Sequence, residues 1–337
     1  MSALKARLAS LELHGIGGPE LTDLGLESAC DIHDLSVMGV EDLIRKLPNA
    51  LTVRRKLFRD FRAHPPDLFL GIDSPDFNLS LERRLRRTGI PVMHLVSPTV
   101  WAWRKYRVAK IRRAVDRILV LFPFEKDFYE ERGVRATFVG HPAARETAEI
   151  TKTSARKDLG IQPGSHVVSV LPGSRESEIR HLGVTFAGCM RALAKGQSDL
   201  NFLIPFASDR VREQFLSMVS LEGLAGRITL LDGRARTCLA ASDAALLASG
   251  TAALEAALVG CPMVVAYRVS SLSYRIATTL ASTRTVSMPN HLMPTPLVPE
   301  FLQDDVTEAN LVPAIQHLLE DDVGAQQMRQ ALSLIQK

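Results

Sequence analysis

"VVSVLPGSRESEIRHL", residues Val167 to Leu182, changes character in its middle. Val167, Val168, Val170 and Leu171 make an apolar run of strand length, Pro172-Gly173-Ser174-Arg175 interrupts it with turn-forming residues, and a charged, helix-like stretch follows. A strand that passes through a small turn into a helix is the repeating unit of a parallel α/β sheet, and the turn lies at the strand's carboxyl end. Gly173 lets the backbone approach a ligand closely, and the first amides of the helix point outward with no intrahelical partner. Such a terminus favours an anion by roughly 0.3–1 kcal/mol, and Arg175 adds a planar fork that matches two phosphate oxygens. Taken alone, the stretch reads equally well as an ordinary tight turn with a surface arginine.

A second stretch of the same design shifts the balance. In "ASDAALLASGTAALEAALVGCPMVV", Ala241 to Val265, the strand Ala244–Ala248 ends at Ser249-Gly250-Thr251, another small-residue turn that opens a helix. Glu255 follows Thr251 by four residues on the same helix face, where a carboxylate can accept both hydroxyls of a ribose; the plainer reading is an acidic residue suited to a helix N-terminus. Two such turns describe a pocket for a nucleotide diphosphate. The chain has neither G-x-G-x-x-G nor G-x-x-x-x-G-K-[ST], so the pattern points to a nucleotide sugar rather than a hydride carrier.

Outward from these turns, short apolar runs alternate with amphipathic stretches along the whole chain. One strand series runs through Leu11–Ile16, Asp67–Ile72, Pro91–Val96, Arg117–Leu121 and Thr137–Val139. A second runs through His166–Leu171, Asn201–Pro205, Arg227–Leu231, Ala244–Ala248 and Met263–Tyr267. Helical patterns such as Glu41–Ala63, Phe77–Thr88, Lys105–Val115 and Thr251–Val259 lie between them. The expectation is two doubly wound parallel-sheet domains, residues 1–145 and 146–337, facing a central cleft and joined in the weakly patterned segment 141–158.

In the first series, "DLFLGIDSPDFN" (Asp67 to Asn78) ends a strand on Asp73 and Asp76. Asp76 is assigned as the cap of the Phe77–Thr88 helix, which leaves Asp73 at the strand end without a structural task. A carboxylate there can take a proton from a hydroxyl acceptor, a contribution of roughly 10²–10⁴-fold when it lies within hydrogen-bond reach.

The composition is that of a globular protein: 337 residues, 46% hydrophobic, 23% charged, net charge +4. Its four cysteines stand far apart with no C-x-x-C pair, which argues against a disulfide framework or a zinc site and fits a reducing compartment. No metal ligand set and no cofactor are expected. No signal peptide is evident, and no run of about 18 apolar residues occurs, so a soluble or peripheral protein is expected. Positive charge concentrates within residues 54–117, where 16 basic residues face 6 acidic ones. A solvated helix face and an anionic partner explain this about equally. Both tryptophans lie in that region, in "VSPTVWAWRKYR", where Trp101 and Trp103 alternate with Arg104 and Lys105. Aromatic and basic residues interleaved beside Val96, Pro98 and Val100 favour a lipid surface over nucleic acid, for which no motif is present.

Together, "LSVMGVEDL", "GIDSPDFN", "VSPTVWAWR", "LFPFEKDFY", "VGHP", "LPGSR", "SDAALLASGTAALE", "CPMVVAYR" and Pro289-Asn290 before "LVPEFLQ" resemble lipid A disaccharide synthases, inverting glycosyltransferases of the GT-B fold. The resemblance spans Leu35 to Gln303 in order. It implies transfer of a 2,3-diacylglucosamine from its UDP carrier to the 6-hydroxyl of 2,3-diacylglucosamine 1-phosphate, forming a β-1,6 disaccharide phosphate and UDP without a metal. It implies Asp73 as general base and Gly173, Ser174 and Arg175 at the diphosphate. Ser249, Gly250, Thr251, Glu255 and Asn290 fall in the rest of the donor site. Trp101, Trp103, Arg104 and Lys105 would face the acceptor and the cytoplasmic side of the inner membrane of a Gram-negative bacterium, with a homodimer as a further possibility. The family opens with a strand and a "GExSGD" loop that precede the helix-like Ala3–Ala9, so an N-terminally incomplete chain is expected. A donor-side loop of different shape is expected at Met293-Pro294-Thr295. A catalytically impaired homologue that keeps UDP-sugar or membrane binding, and another GT-B enzyme of UDP-sugars, remain alternatives.

Overall fold

The computed structural model describes all residues except 1, 9, 29, 31–39, 102–104, 271–273, 275–284, 294, 321 and 336–337, and gives the backbone alone for 2–3, 40–47, 105 and 322. The described residues form two compact units, Met1–Gly140 and His141–Lys337. Trp103, Arg104 and Pro294 lie outside the described residues, as does the side chain of Lys105.

The first unit begins with α1 (Ser2–Arg7), β1 (Leu13–Gly15), α2 (Pro19–Asp23) and β2 (Leu26–Ser28). The strand expected at Leu11–Ile16 is therefore three residues long, and it does not join the main sheet: it pairs in parallel with β2 alone, Leu13 against Leu26. None of its residues is fully buried, so it lacks the two covered faces that a strand inside a parallel sheet needs. The main sheet has four parallel strands in the order β3 (Phe69–Ile72), β4 (Val92–Leu95), β5 (Arg117–Val120) and β6 (Ala136–Phe138). Between them run α4 (Pro75–Arg86), α5 (Val108–Ala114) and α6 (Pro123–Glu130), and α3 (Val40–Ala63) precedes β3. Leu79, Leu81 and Leu85 of α4, Ile111 of α5 and Val92, Ile118 and Val120 of the strands share one core with Tyr129.

The second unit is larger, and its sheet has six parallel strands. After α7 (Pro142–Thr147) and α8 (Lys152–Asp158) come β7 (His166–Leu171), α9 (Glu176–Gly196), β8 (Leu200–Phe206), α10 (Asp209–Met218) and β9 (Ile228–Asp232). Then follow α11 (Ala235–Ala241), β10 (Ala244–Ala248), α12 (Thr251–Leu258), β11 (Met263–Tyr267) and β12 (Glu300–Leu302). The spatial order is β12-β11-β10-β7-β8-β9. The chain therefore grows from β7 outward through β8 and β9, then returns to the other side of β7 to lay down β10. Helices Glu308–Glu320 and Asp322–Ser333 close the unit.

Continuous apolar runs are what this arrangement demands. All five residues of β10 are buried, as are five of the six in β7, because helices cover both faces. Helix α9 presents Ile179, Leu182, Phe186, Met190 and Leu193 to that core, the spacing of one helical face. The weakly patterned segment 141–158 is not an open linker. Its two helices are capped by His141 and Thr151, and Asp243 holds Arg156 at 2.9 Å and Lys152 at 2.5 Å.

Candidate active site

In the second unit, β7 and β10 are neighbours, with Val168 paired to Ala244 and Leu171 to Leu247. The two turns found in the sequence thus sit side by side at the carboxyl edge of the sheet, at the point where the strand order reverses. That crevice is where open α/β sheets bind ligands. Ser174, Arg175, Gly250 and Thr251 are exposed there, and Ser249 and Glu255 are half-buried.

The first turn is not bare. Glu178, one helical turn into α9, places Oε2 where it accepts the amide hydrogens of Ser174 (2.8 Å) and Arg175 (3.3 Å), while Arg175 Nη1 donates to its Oε1 at 3.1 Å. The backbone amides of the turn just ahead of α9 are therefore held by an internal carboxylate, one half of a capping box, and Arg175, which has no acceptor atom, returns no bond from its side chain to the helix amides. Gly173 has φ +135°, and a Cβ there would lie 2.4 Å from Glu178 Cβ, so the turn needs glycine for its own geometry. Gly250 differs. Its backbone is extended (φ 167°), and a Cβ would meet nothing within 4 Å. Tyr267, at the carboxyl end of β11, is raised above its ordinary pKa by burial, with Glu178 adding to the rise and Arg175 opposing it.

At the second turn, Ser249 donates from Oγ to the carbonyl of Val286 at 2.9 Å. Glu255 accepts a hydrogen bond from Arg236 Nε at 2.9 Å, and Arg236 also pairs with Glu146. His141 caps α7 through Nδ1, which accepts from Ala143 N at 3.1 Å. Burial holds its imidazole below the ordinary value; Glu255 pulls it back up, Arg236 pushes it further down and Glu146 again raises it. Glu255 thus belongs to a charged group with Arg236, Glu146 and His141 that the sequence reading missed.

Asn290 is not a ligand-facing residue. It is 6% exposed, and its carboxamide is fully used: Nδ2 donates to Val298 O (2.8 Å) and Glu300 Oε1 (2.7 Å), and Oδ1 accepts from Leu297 N (2.8 Å) and Val298 N (2.9 Å). Glu300 also receives the amides of Val286 (2.8 Å) and Ser287 (2.9 Å). The pair knots the segment to which Ser249 is tied. No sequence signal marked Glu300, since its partners come from across a loop.

In the first unit, Asp73 leaves β3 at its carboxyl end, exposed, with its amide bonded to Leu95 O at 2.9 Å. Asp73 and Ser74 both occupy left-handed backbone, φ 49° and 43°, and Val96 at the end of β4 has φ 75°. For residues that carry a Cβ, such conformations are costly and gather at functional sites. Asp76 does not cap α4. Ser74 holds the cap position, Pro75 follows it, and Asp76 pairs instead with Arg107.

Trp101 does not offer an apolar surface. It is 8% exposed, packs edge-on against Phe124 with centroids 4.9 Å apart, and donates from Nε1 to the buried Glu125 at 3.1 Å. Burial raises Glu125 above the usual carboxylate range despite its hydrogen bonds from Ser97, Phe122, Trp101 and Leu121. Tyr106, by contrast, is 74% exposed, next to exposed Lys110 and Arg113. Among the described residues, no group of His, Cys, Asp and Glu is disposed to hold a metal, and no helix is long and apolar enough to cross a membrane.

The family model for lipid-A-disaccharide synthetase matches residues 1–336. The chain belongs to the lipid-A-disaccharide synthetase family. It is 46% identical over 329 residues to the lipid-A-disaccharide synthase of Azotobacter vinelandii, covering 97% of this chain and 86% of that one. It is 45% identical over 333 residues to that of Pseudomonas aeruginosa, with the same coverage. Among solved structures, UDP-GlcNAc 2-epimerase from Neisseria meningitidis bound to UDP-GlcNAc has a TM-score of 0.59 at 15% identity, covering 94% of this chain and 85% of that one. A complex of S. aureus MnaA with UDP has a TM-score of 0.55 at 13% identity, covering 95% and 90%. These distant neighbours share the fold, the parallel-sheet α/β fold of the GT-B class.

Proposed function

We infer that the protein is a glycosyltransferase that forms the lipid A disaccharide. The observation that carries this beyond family membership is the pairing of two small-residue turns at the ends of adjacent strands β7 and β10, where strand order reverses. In this reading Gly173–Arg175 and Ser249–Thr251 receive the diphosphate of UDP-2,3-diacylglucosamine, and Glu255 accepts the ribose hydroxyls. Asp73 takes the proton from the 6-hydroxyl of 2,3-diacylglucosamine 1-phosphate as that oxygen attacks the anomeric carbon and UDP departs. Inversion at that carbon gives the β-1,6 link. Asn290 contributes by holding the Val286–Glu300 segment behind Ser249 rather than by touching the donor. The exposed Tyr106, Lys110 and Arg113 suit an anionic lipid surface, which is where a diacylated acceptor resides.

The experiment is direct: the protein is mixed with both lipid substrates, and disaccharide phosphate is followed by mass spectrometry alongside released UDP. Product in equal amount to UDP is expected, with turnover reduced roughly 10²–10⁴-fold in Asp73→Asn. UDP binding with no product from the unaltered protein would reject the enzymatic reading. Sedimentation with vesicles containing anionic lipid, compared with neutral vesicles, tests the membrane contact.

A further inference from the structure

We propose that Asn78 is a positioning residue for Asp73, holding the left-handed turn that aims the carboxylate; the proposal rests on the reading of Asp73 as general base. After Ile72 the chain takes two consecutive left-handed residues, Asp73 (φ 49°) and Ser74 (φ 43°), neither of them glycine. Such a pair persists only where the surroundings impose it. The usual source of help is missing, because Ser74 holds the cap position of α4 without a side-chain capping hydrogen bond. The side chain that reaches the turn is Asn78: Nδ2 donates to the carbonyl of Asp73 at 2.8 Å and to that of Ile72 at 3.3 Å. One carboxamide nitrogen carries two hydrogens, so it can serve both carbonyls on either side of the strand-to-turn junction. With the Asp73 amide bonded to Leu95 O and Ser74 O receiving the amides of Phe77 and Asn78 at 3.0 Å each, the turn is gripped from strand and helix together.

The grip works because α4 itself cannot shift. Glu82 lies four residues beyond Asn78, on the same face of the helix. It is fully buried and lies 2.6 Å from Nδ1 of His94, which is fully buried on β4. Gly71 of β3, in register with His94, makes room for this pair: a Cβ at Gly71 would lie 1.9 Å from Glu82 Oε1 and 3.1 Å from His94 Nδ1. Glu82 Oε2 and His94 Nε2 have no hydrogen-bond partner among the described residues. Breaking the one bond they make would strand both side chains without a partner in the core, so the dyad fixes where α4 lies on β3 and with it where Asn78 reaches.

The test is steady-state kinetics of Asn78→Ala and of the isosteric Asn78→Asp, which removes the donor with little change of shape. Both are expected to lose between about 10- and 100-fold in kcat, with KM for donor and acceptor within about twofold of the unaltered enzyme, because the Nδ2 group of Asn78 is spent on the backbone carbonyls of Ile72 and Asp73. Adding Ser74→Gly to Asn78→Ala supplies a residue that adopts the left-handed conformation freely, and it is expected to recover most of the lost kcat. A kcat for Asn78→Ala equal to that of the unaltered enzyme, or no recovery with Ser74→Gly, overturns the proposal. Asp73→Asn is measured in parallel. Normal turnover in that variant removes the general-base reading itself, whereas an inactive Asp73→Asn beside a fully active Asn78→Ala removes only the positioning role.

Discussion

Glu178 holds the amide of Ser174 at 2.8 Å, so the turn assigned to the donor diphosphate already carries a carboxylate on its backbone nitrogens. A phosphate arriving there meets a like charge that also engages Arg175. Glu178→Gln keeps an acceptor oxygen for the cap but removes the charge and loosens the arginine. UDP is expected to bind this variant a few-fold more tightly in isothermal titration calorimetry, on the order of the 0.3–1 kcal/mol that one charge is worth at a helix terminus. Weaker binding would mean that the carboxylate shapes the turn for the ligand instead of competing with it.

The two glycines of the donor turns separate fold from ligand contact. Gly173→Ala places a Cβ against Glu178 at φ +135° and is expected to lower stability by roughly 1–3 kcal/mol in urea denaturation. Gly250→Ala meets open space on extended backbone, so its midpoint should hold or rise slightly. Its UDP affinity should nevertheless fall by about tenfold or more, since the added methyl occupies ground the diphosphate needs. Unchanged affinity in Gly250→Ala would move the donor away from the second turn.

Asn290 offers a test of a corrected role. Asn290→Ala leaves the Leu297 and Val298 amides and the Val298 carbonyl without their partner, and loosens Glu300. A loss of roughly 2–4 kcal/mol in equilibrium unfolding is expected, with donor affinity falling in consequence. An unaltered unfolding curve combined with a raised donor KM would return the residue to the ligand.

The second unit should weaken in mild acid. His141 is held below its ordinary value of 6.5, chiefly by burial, so the folded state resists the proton that the unfolded chain accepts. Stability from this residue is full above about 6.5 and declines as pH falls below it, until the folded imidazole is itself protonated. Burial lowers His291 in the same direction. His141→Asn keeps an acceptor for Ala143 N without a titrating group, and the gap between its unfolding free energy and that of the unaltered protein is expected to change between pH 7 and pH 5. Taking the difference cancels the opposite contribution of Glu125, whose raised value acts equally in both proteins. Parallel pH profiles would exclude His141 as the source.

What could be read in the chain and what could not follow from how information is carried. Strands β7 and β10 were legible to the residue because unbroken apolar runs leave few other ways to be buried, and their turns were legible because Gly173 and Ser249-Gly250 punctuate them. Strand β12 was missed: Glu300–Leu302 is short and only partly buried, and one of its three residues is a charged hub. Trp101 was misread because alternation of aromatic and basic residues says nothing about which side faces Phe124 and Glu125. Asp76 looked like the cap by sequence distance alone; the left-handed Ser74 moved the helix start two residues earlier than the pattern suggested. The partners of Asn290 and Glu255 come from other elements, and no local pattern encodes them.

Gly71 ties three separated stretches of the gene to one another. A side chain at that position has no room while a carboxylate stands at 82 and an imidazole at 94. Sequence drift there is therefore collective: relatives that carry alanine or anything larger at 71 should carry a shorter side chain at 82, and a shorter side chain at 82 should release 71 to vary.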